Sequence, residues 1–122
     1  MAAIGKKLRS AQGGRLLFWC PGCDQAHQIA HGTGAGPRWG WNGSGDAPVF
    51  TPSVLVTGVQ HLTDAEHAHY MATGELPTPR PMRCHSFVGC NGAQPGQITF
   101  LADCTHESAG KTVDLPDWPH LN

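Results

Sequence analysis

Glycine and proline interrupt this chain so often that no long regular element fits between them. There are 16 glycines and 10 prolines in 122 residues. The apolar runs they leave are short: RLLFWC (15–20), AHQIAH (26–31), VFTPSVLVTG (49–58), CHSFV (84–88), QITFLA (97–102) and TVDL (112–115). Turn dipeptides such as Pro21-Gly22 and Asn42-Gly43 lie between them, and short runs bounded by turn chemistry read as antiparallel strands. The expected fold is therefore mainly β, a small antiparallel β-sandwich or barrel-like domain. Pro52 falls inside the third run and marks a sheet edge or a bulge, because proline cannot donate to a ladder. A bulge there would also be consistent with a nearby active site.

One stretch departs from this pattern. LTDAEHAHYMATG carries Thr63 with Glu66 three residues on, the capping-box spacing, and Gly74 as a stop. It predicts a short helix over about 63–72, inserted at 61–74. The size fits one domain. We expect a flexible lead over 1–14, a single β domain over 15–118 and a tail over 119–122. His61, His67 and His69 are expected to be solvated, and residues two apart on a helix do not share a face. A net charge of −1 gives no footprint for nucleic acid or an anionic membrane. No secretory h-region is visible, so a cytoplasmic setting is expected, where cysteines serve as ligands or reactive thiols more often than as disulfides.

The five cysteines point to metal. CPGC places Cys20 and Cys23 across a tight turn, the form of a zinc knuckle. No second CxxC follows. Cys84-His85 lies in one predicted strand, and Cys104-Thr105-His106 ends its predicted neighbour. Adjacent residues on a strand face opposite ways, so Cys84 and His85 do not both reach one metal unless the strand is distorted. Cys104 and His106 share a face if the strand continues. The candidate ligands for Zn2+ are Cys20, Cys23, Cys84, Cys104 and His106, with His27 or His85 as substitutes; the sequence does not fix the register that would choose among them. Cys90, in a turn, is expected to have no role. Trp39 and Trp41 fall on one face of an extended segment and are expected to pack, or to line a groove.

Chemistry is less determined. A catalytic zinc keeps three protein ligands, an open position and a nearby base. His85, Asp103 and Glu107 stand beside the candidate ligands, and His85 with Asp103 are the catalytic candidates if the chain is an enzyme. No HExxH is present, and the deaminase arrangement of zinc ligands is not met.

The motifs FWCPGC, WGWNG, PVFTPSVLV, RCHSFV and DCTHESAGKTVDLPDW occur in an order that resembles a family of small phage and prophage proteins, often labelled "ammonia monooxygenase" or "anaerobic dehydrogenase". The resemblance spans about 16–118. Thr51 stands where serine is usual, and the 61–73 stretch is like an insertion carried by only some members. The resemblance implies a phage-encoded, zinc-binding accessory protein; a host or phage protein is its expected partner, in the cytoplasm of the infected or lysogenic host. Some relatives lie near bacterial ubiquitin-like conjugation genes, which favours a peptidase or a partner of such machinery. Two expectations follow: a closed four-ligand metal in a protein-interaction domain, or a three-ligand metal in a zinc-dependent peptidase or amidase.

Overall fold

The computed structural model describes residues 2–119 and is mainly β. The elements run β1 (Ala2–Ile4), β2 (Leu8–Ala11), β3 (Arg15–Cys20), β4 (Gln25–Ala30), β5 (Gly40–Trp41), β6 (Phe50–Thr51), β7 (Val54–Val59), α1 (Asp64–Thr73), β8 (Pro81–Val88), β9 (Gln97–Phe100) and β10 (Thr112–Asp114). Two four-stranded antiparallel sheets, in the orders β1-β2-β3-β4 and β10-β9-β8-β7, supply the two sides of one core. β5 and β6 form a small ribbon. No helix among the described residues is long and apolar enough to cross a membrane.

The core follows from strand alternation. In β3, Leu16, Phe18 and Cys20 point inward and are buried, while Arg15 is exposed. Ile29 from β4, Phe50 from β6, Val54 from β7, Cys84 and Val88 from β8, and Ile98 and Phe100 from β9 meet them in one cluster. Phe18 and Phe50 approach with ring centroids 6.0 Å apart. Truncating Phe18, which is fully buried, removes the ring that packs against Phe50 and His27. Phe18→Ala is expected to cost about 3–5 kcal/mol, seen as a lower denaturant midpoint at unchanged slope.

The lead expected over 1–14 is not a free segment. Residues 2–11 form a hairpin that extends the first sheet, with Leu8 fully buried opposite Phe18. Gly13 and Gly14 both take positive φ (82° and 71°) in the turn to β3, a conformation glycine reaches without steric cost. The far end of the chain ties this hairpin down. Trp118 N–H donates to Lys6 O at 2.8 Å, its ring packs edge-on to Trp19, and Lys7 Nζ bonds Leu115 O and Asp117. His120, expected to lie in the tail, falls outside the described residues.

Two predicted strands are cut short. The run 49–58 breaks at Pro52-Ser53 between β6 and β7, where the Thr51–Pro52 peptide is cis. The run 97–102 ends at Phe100. The helix forms as expected over Asp64–Thr73: Thr63 Oγ1 accepts from Glu66 N at 3.1 Å, Glu66 Oε1 accepts from Thr63 N at 2.9 Å, and Gly74 closes the C-terminus in a left-handed conformation. It buries none of its own residues, so it stands on the sheet as an appendage. The Arg80 guanidinium, which bonds both Glu66 carboxylate oxygens, anchors its first turn.

Candidate functional site

Two clusters of functional side chains lie on opposite faces of β8. On the core side stand four metal-type donors. Cys20 ends β3, Cys23 follows in the turn, Cys84 lies in β8 and His106 in the loop after β9; their donor atoms all fall within 4.8 Å of one another. The turn itself enforces the first pair. Asp24 takes φ 53°, its N–H donates to Cys20 O at 2.8 Å, and Cys23 N–H donates to Cys20 Sγ at 3.4 Å. Gly22 gives His106 its place, because a Cβ there would overlap the imidazole ring.

The donors fit a metal on three physical counts. Cys20 Sγ and Cys84 Sγ are 3.7 Å apart, close to the edge of about 3.8 Å that a tetrahedron with zinc–sulfur arms of roughly 2.3 Å requires. Both ring nitrogens of His106 are buried with no hydrogen-bond partner among the described residues, and an unpartnered buried nitrogen is costly. Three sulfurs this close repel as thiolates. Hydrogen bonds from Cys23 and then Cys84 hold the Cys20 thiol far below its ordinary value, with His27 beside it acting the same way. Cys23 is pushed up to about 12, chiefly by its bond to Cys20, and Cys84 is pushed up by Cys20 and then Cys23. The close approach of the three sulfurs thus opposes their full ionisation, whereas a bound divalent cation would stabilise all three as thiolates.

Cys104, expected among the ligands, is not one of the four. Its Sγ accepts from His85 N and donates to His85 O, both at 3.2 Å. The substitutes His27 and His85 also lie outside the group. His27 is buried edge-on to Phe18.

On the outer face of β8, His85 Nε2 is 2.9 Å from Ser53 Oγ, and His85 Nδ1 is 3.3 Å from Asp103 Oδ2. This is a serine, histidine and carboxylate in line, the arrangement that activates a hydroxyl for attack and is recognised by geometry rather than chain order. Sequence reasoning named His85 and Asp103 but not the serine. Ser53 lies in the break between β6 and β7; its signals in the sequence are the strand-interrupting proline before it and its place in the motif PVFTPSVLV.

Each member is held from behind. Trp39 Nε1–H donates to Ser53 O at 3.1 Å. Asn42 closes the loop leading to β6, accepting from Ser44 N and Val49 N and donating to Ala47 O. His85 lies in a paired strand opposite Leu55. Asp103 is carried by a loop laced to β8: Leu101 N–H donates to His85 O at 2.9 Å, Thr105 N–H to Arg83 O at 2.9 Å, and Arg83 N–H to Thr105 Oγ1 at 3.1 Å. Glu107 is exposed and bonds to neither His85 nor Ser53.

Together these features define a small β domain with a serine–histidine–aspartate relay on one face of a strand and a Cys3His donor group on the other. The chain belongs to the BubE family, described as a bacterial ubiquitination-like system serine protease, whose family model matches residues 4–95. That span includes Ser53, His85 and three of the four metal-type donors; Asp103 and His106 follow it. Comparison with curated proteins and with solved structures finds no match.

Proposed function

We propose that this chain is a serine protease whose nucleophile is Ser53, with polypeptide substrates belonging to a bacterial ubiquitination-like system. The observation that carries this reading is the pair of hydrogen bonds joining Ser53, His85 and Asp103. His85 Nε2 takes the Ser53 Oγ proton as Oγ attacks the scissile carbonyl carbon. Asp103 accepts the Nδ1–H bond, fixes the tautomer with a free Nε2, and stabilises the imidazolium. His85 then gives its proton to the leaving amine, and the peptide C–N bond breaks. Water, deprotonated by the same imidazole, hydrolyses the acyl-enzyme.

Zn2+ held by Cys20, Cys23, Cys84 and His106 serves structure in this reading. Four protein donors leave no open position for water, which is the mark of a structural site. This favours the closed four-ligand expectation over a zinc-dependent hydrolase, while hydrolysis passes to the serine.

The test is covalent labelling. An alkyl fluorophosphonate is expected to modify the wild-type chain once, at Ser53 by peptide mass mapping, and to leave Ser53→Ala unmodified. Labelling that persists in Ser53→Ala, or maps to another residue, would rule out this assignment.

A further inference from the structure

Strand β7 begins one residue after Ser53 and forms the outer edge of its sheet, pairing only with β8 among the described strands. The direction of its backbone groups can be deduced. His85 N–H goes to Cys104 Sγ and His85 O accepts from Leu101 N–H; Arg83 N–H and O go to Thr105. Those groups point away from β7. In an antiparallel ladder bonded and non-bonded pairs alternate, so β7 bonds β8 through Val54, Val56 and Gly58. Gln60 N–H donating to Arg80 O at 2.8 Å continues the same phase. The N–H and C=O groups of Leu55, Thr57 and Val59 therefore face the open edge.

Proteins usually guard such an edge with charge, proline or a bulge. The stretch VLVTGV has neither charge nor proline, and Leu55 and Val59 are 54% and 61% exposed. The edge also leads somewhere. At its far end Val59 joins Leu62, Leu76, Pro77 and Pro79 around an apolar cleft of about 540 Å3. Ser53 stands at one end of an unguarded ladder and this cleft at the other.

Resting on the serine-protease reading above, we propose that β7 is the substrate-docking edge. The substrate is an extended, unfolded polypeptide segment that adds as a further strand, bonding to Leu55, Thr57 and Val59 with its scissile carbonyl at Ser53. At about 3.3 Å per residue, six residues span the roughly 20 Å from Ser53 to Val59. The segment therefore carries an apolar side chain about six residues from the scissile bond, which enters the cleft. Recognition by main-chain bonding with pockets for selected side chains is the chemistry of strand addition. A chain terminus or a long unstructured loop meets this requirement; a helix or tight turn does not.

The test compares two reagents for Ser53: the alkyl fluorophosphonate, and a phosphonate ester at the end of an extended octapeptide with leucine six residues from phosphorus. A second octapeptide reagent reverses the chain direction. In the wild type, one peptidyl reagent is expected to label at least 10-fold faster than the alkyl one. Thr57→Pro removes one outward N–H without touching the β7–β8 bonds, and is expected to abolish that advantage while leaving alkyl labelling unchanged. N-methylation of the better reagent is expected to slow labelling at alternate amides only. Should Thr57→Pro be poorly folded, this pattern in the wild type decides the matter. An advantage that survives Thr57→Pro, no advantage for either peptide, or an N-methylation effect without period two overturns the docking proposal while leaving the triad intact. A wild-type dimer that Thr57→Pro dissociates would assign the edge to a second copy and overturn it too. Absence of Ser53 labelling by every reagent overturns the protease reading itself.

Discussion

Ser53→Ala, His85→Ala and Asp103→Asn are each expected to lower kcat/KM by on the order of 10⁴-fold, measured on a quenched peptide that the wild-type chain cleaves. The size follows from what each group does. Without Oγ there is no acyl-enzyme. Without the imidazole, the hydroxyl keeps its proton and remains a poor nucleophile at neutral pH. The amide introduced by Asp103→Asn is nearly isosteric with the carboxylate, yet it can present a donor toward Nδ1 and so favour the tautomer whose Nε2 proton faces Ser53. The loss should therefore appear in kcat with KM little changed, because none of the three changes removes a substrate-binding surface. Double variants should lose no more than the worse single one, since the three act as a unit. A Ser53→Ala chain that keeps more than a tenth of wild-type activity would exclude this mechanism.

The legibility of this molecule divides at the strand ends. Where apolar alternation was present it located elements well, as in Arg15–Cys20, and cap spacing did the same for the helix at Asp64–Thr73. The rule that neighbours on a strand face opposite ways correctly separates buried Cys84 from His85, which faces Asp103. The same rule fails four residues past Phe100. Cys104 and His106 would share a face only if β9 continued, but a loop has no period; there the two side chains take unrelated roles. Ser53 was illegible for a related reason. Ser53 falls within the motif PVFTPSVLV, but that motif assigns it no chemistry; its value comes from Trp39 and His85, which are 14 and 32 residues away in sequence. The N-terminal hairpin escapes the pattern because β1 and β2 are only three and four residues long, too short for alternation to show, although the Gly13-Gly14 pair is a turn signal in its own right.

If Cys20, Cys23, Cys84 and His106 hold a structural zinc, as proposed, its removal is expected to abolish both fold and labelling at Ser53. The argument is positional. Cys84 immediately precedes His85 in β8, and His106 lies three residues beyond Asp103 in the loop laced to that strand. Cys20 and Cys23 come from the first sheet and its turn and Cys84 from the second, so a metal held by all of them would join the two sheets at this point. Structural zinc in small domains contributes on the order of 10 kcal/mol, comparable with the whole stability of a domain this size. Purified chain is expected to hold one zinc, and a strong chelator should unfold it cooperatively, with loss of Ser53 labelling following the same curve. Cys20→Ser, Cys84→Ser and His106→Ala should each lose metal. Cys104→Ser is the discriminating variant. Among the described residues its thiol bonds only to His85 backbone groups, so zinc content should stay at one per chain while kcat falls several-fold as the loop carrying Asp103 loosens. If Cys104→Ser lost the metal and His106→Ala kept it, the donor assignment would be reversed, and the loop after Phe100 would have to run two residues out of step with the path that now aligns Asp103 with His85.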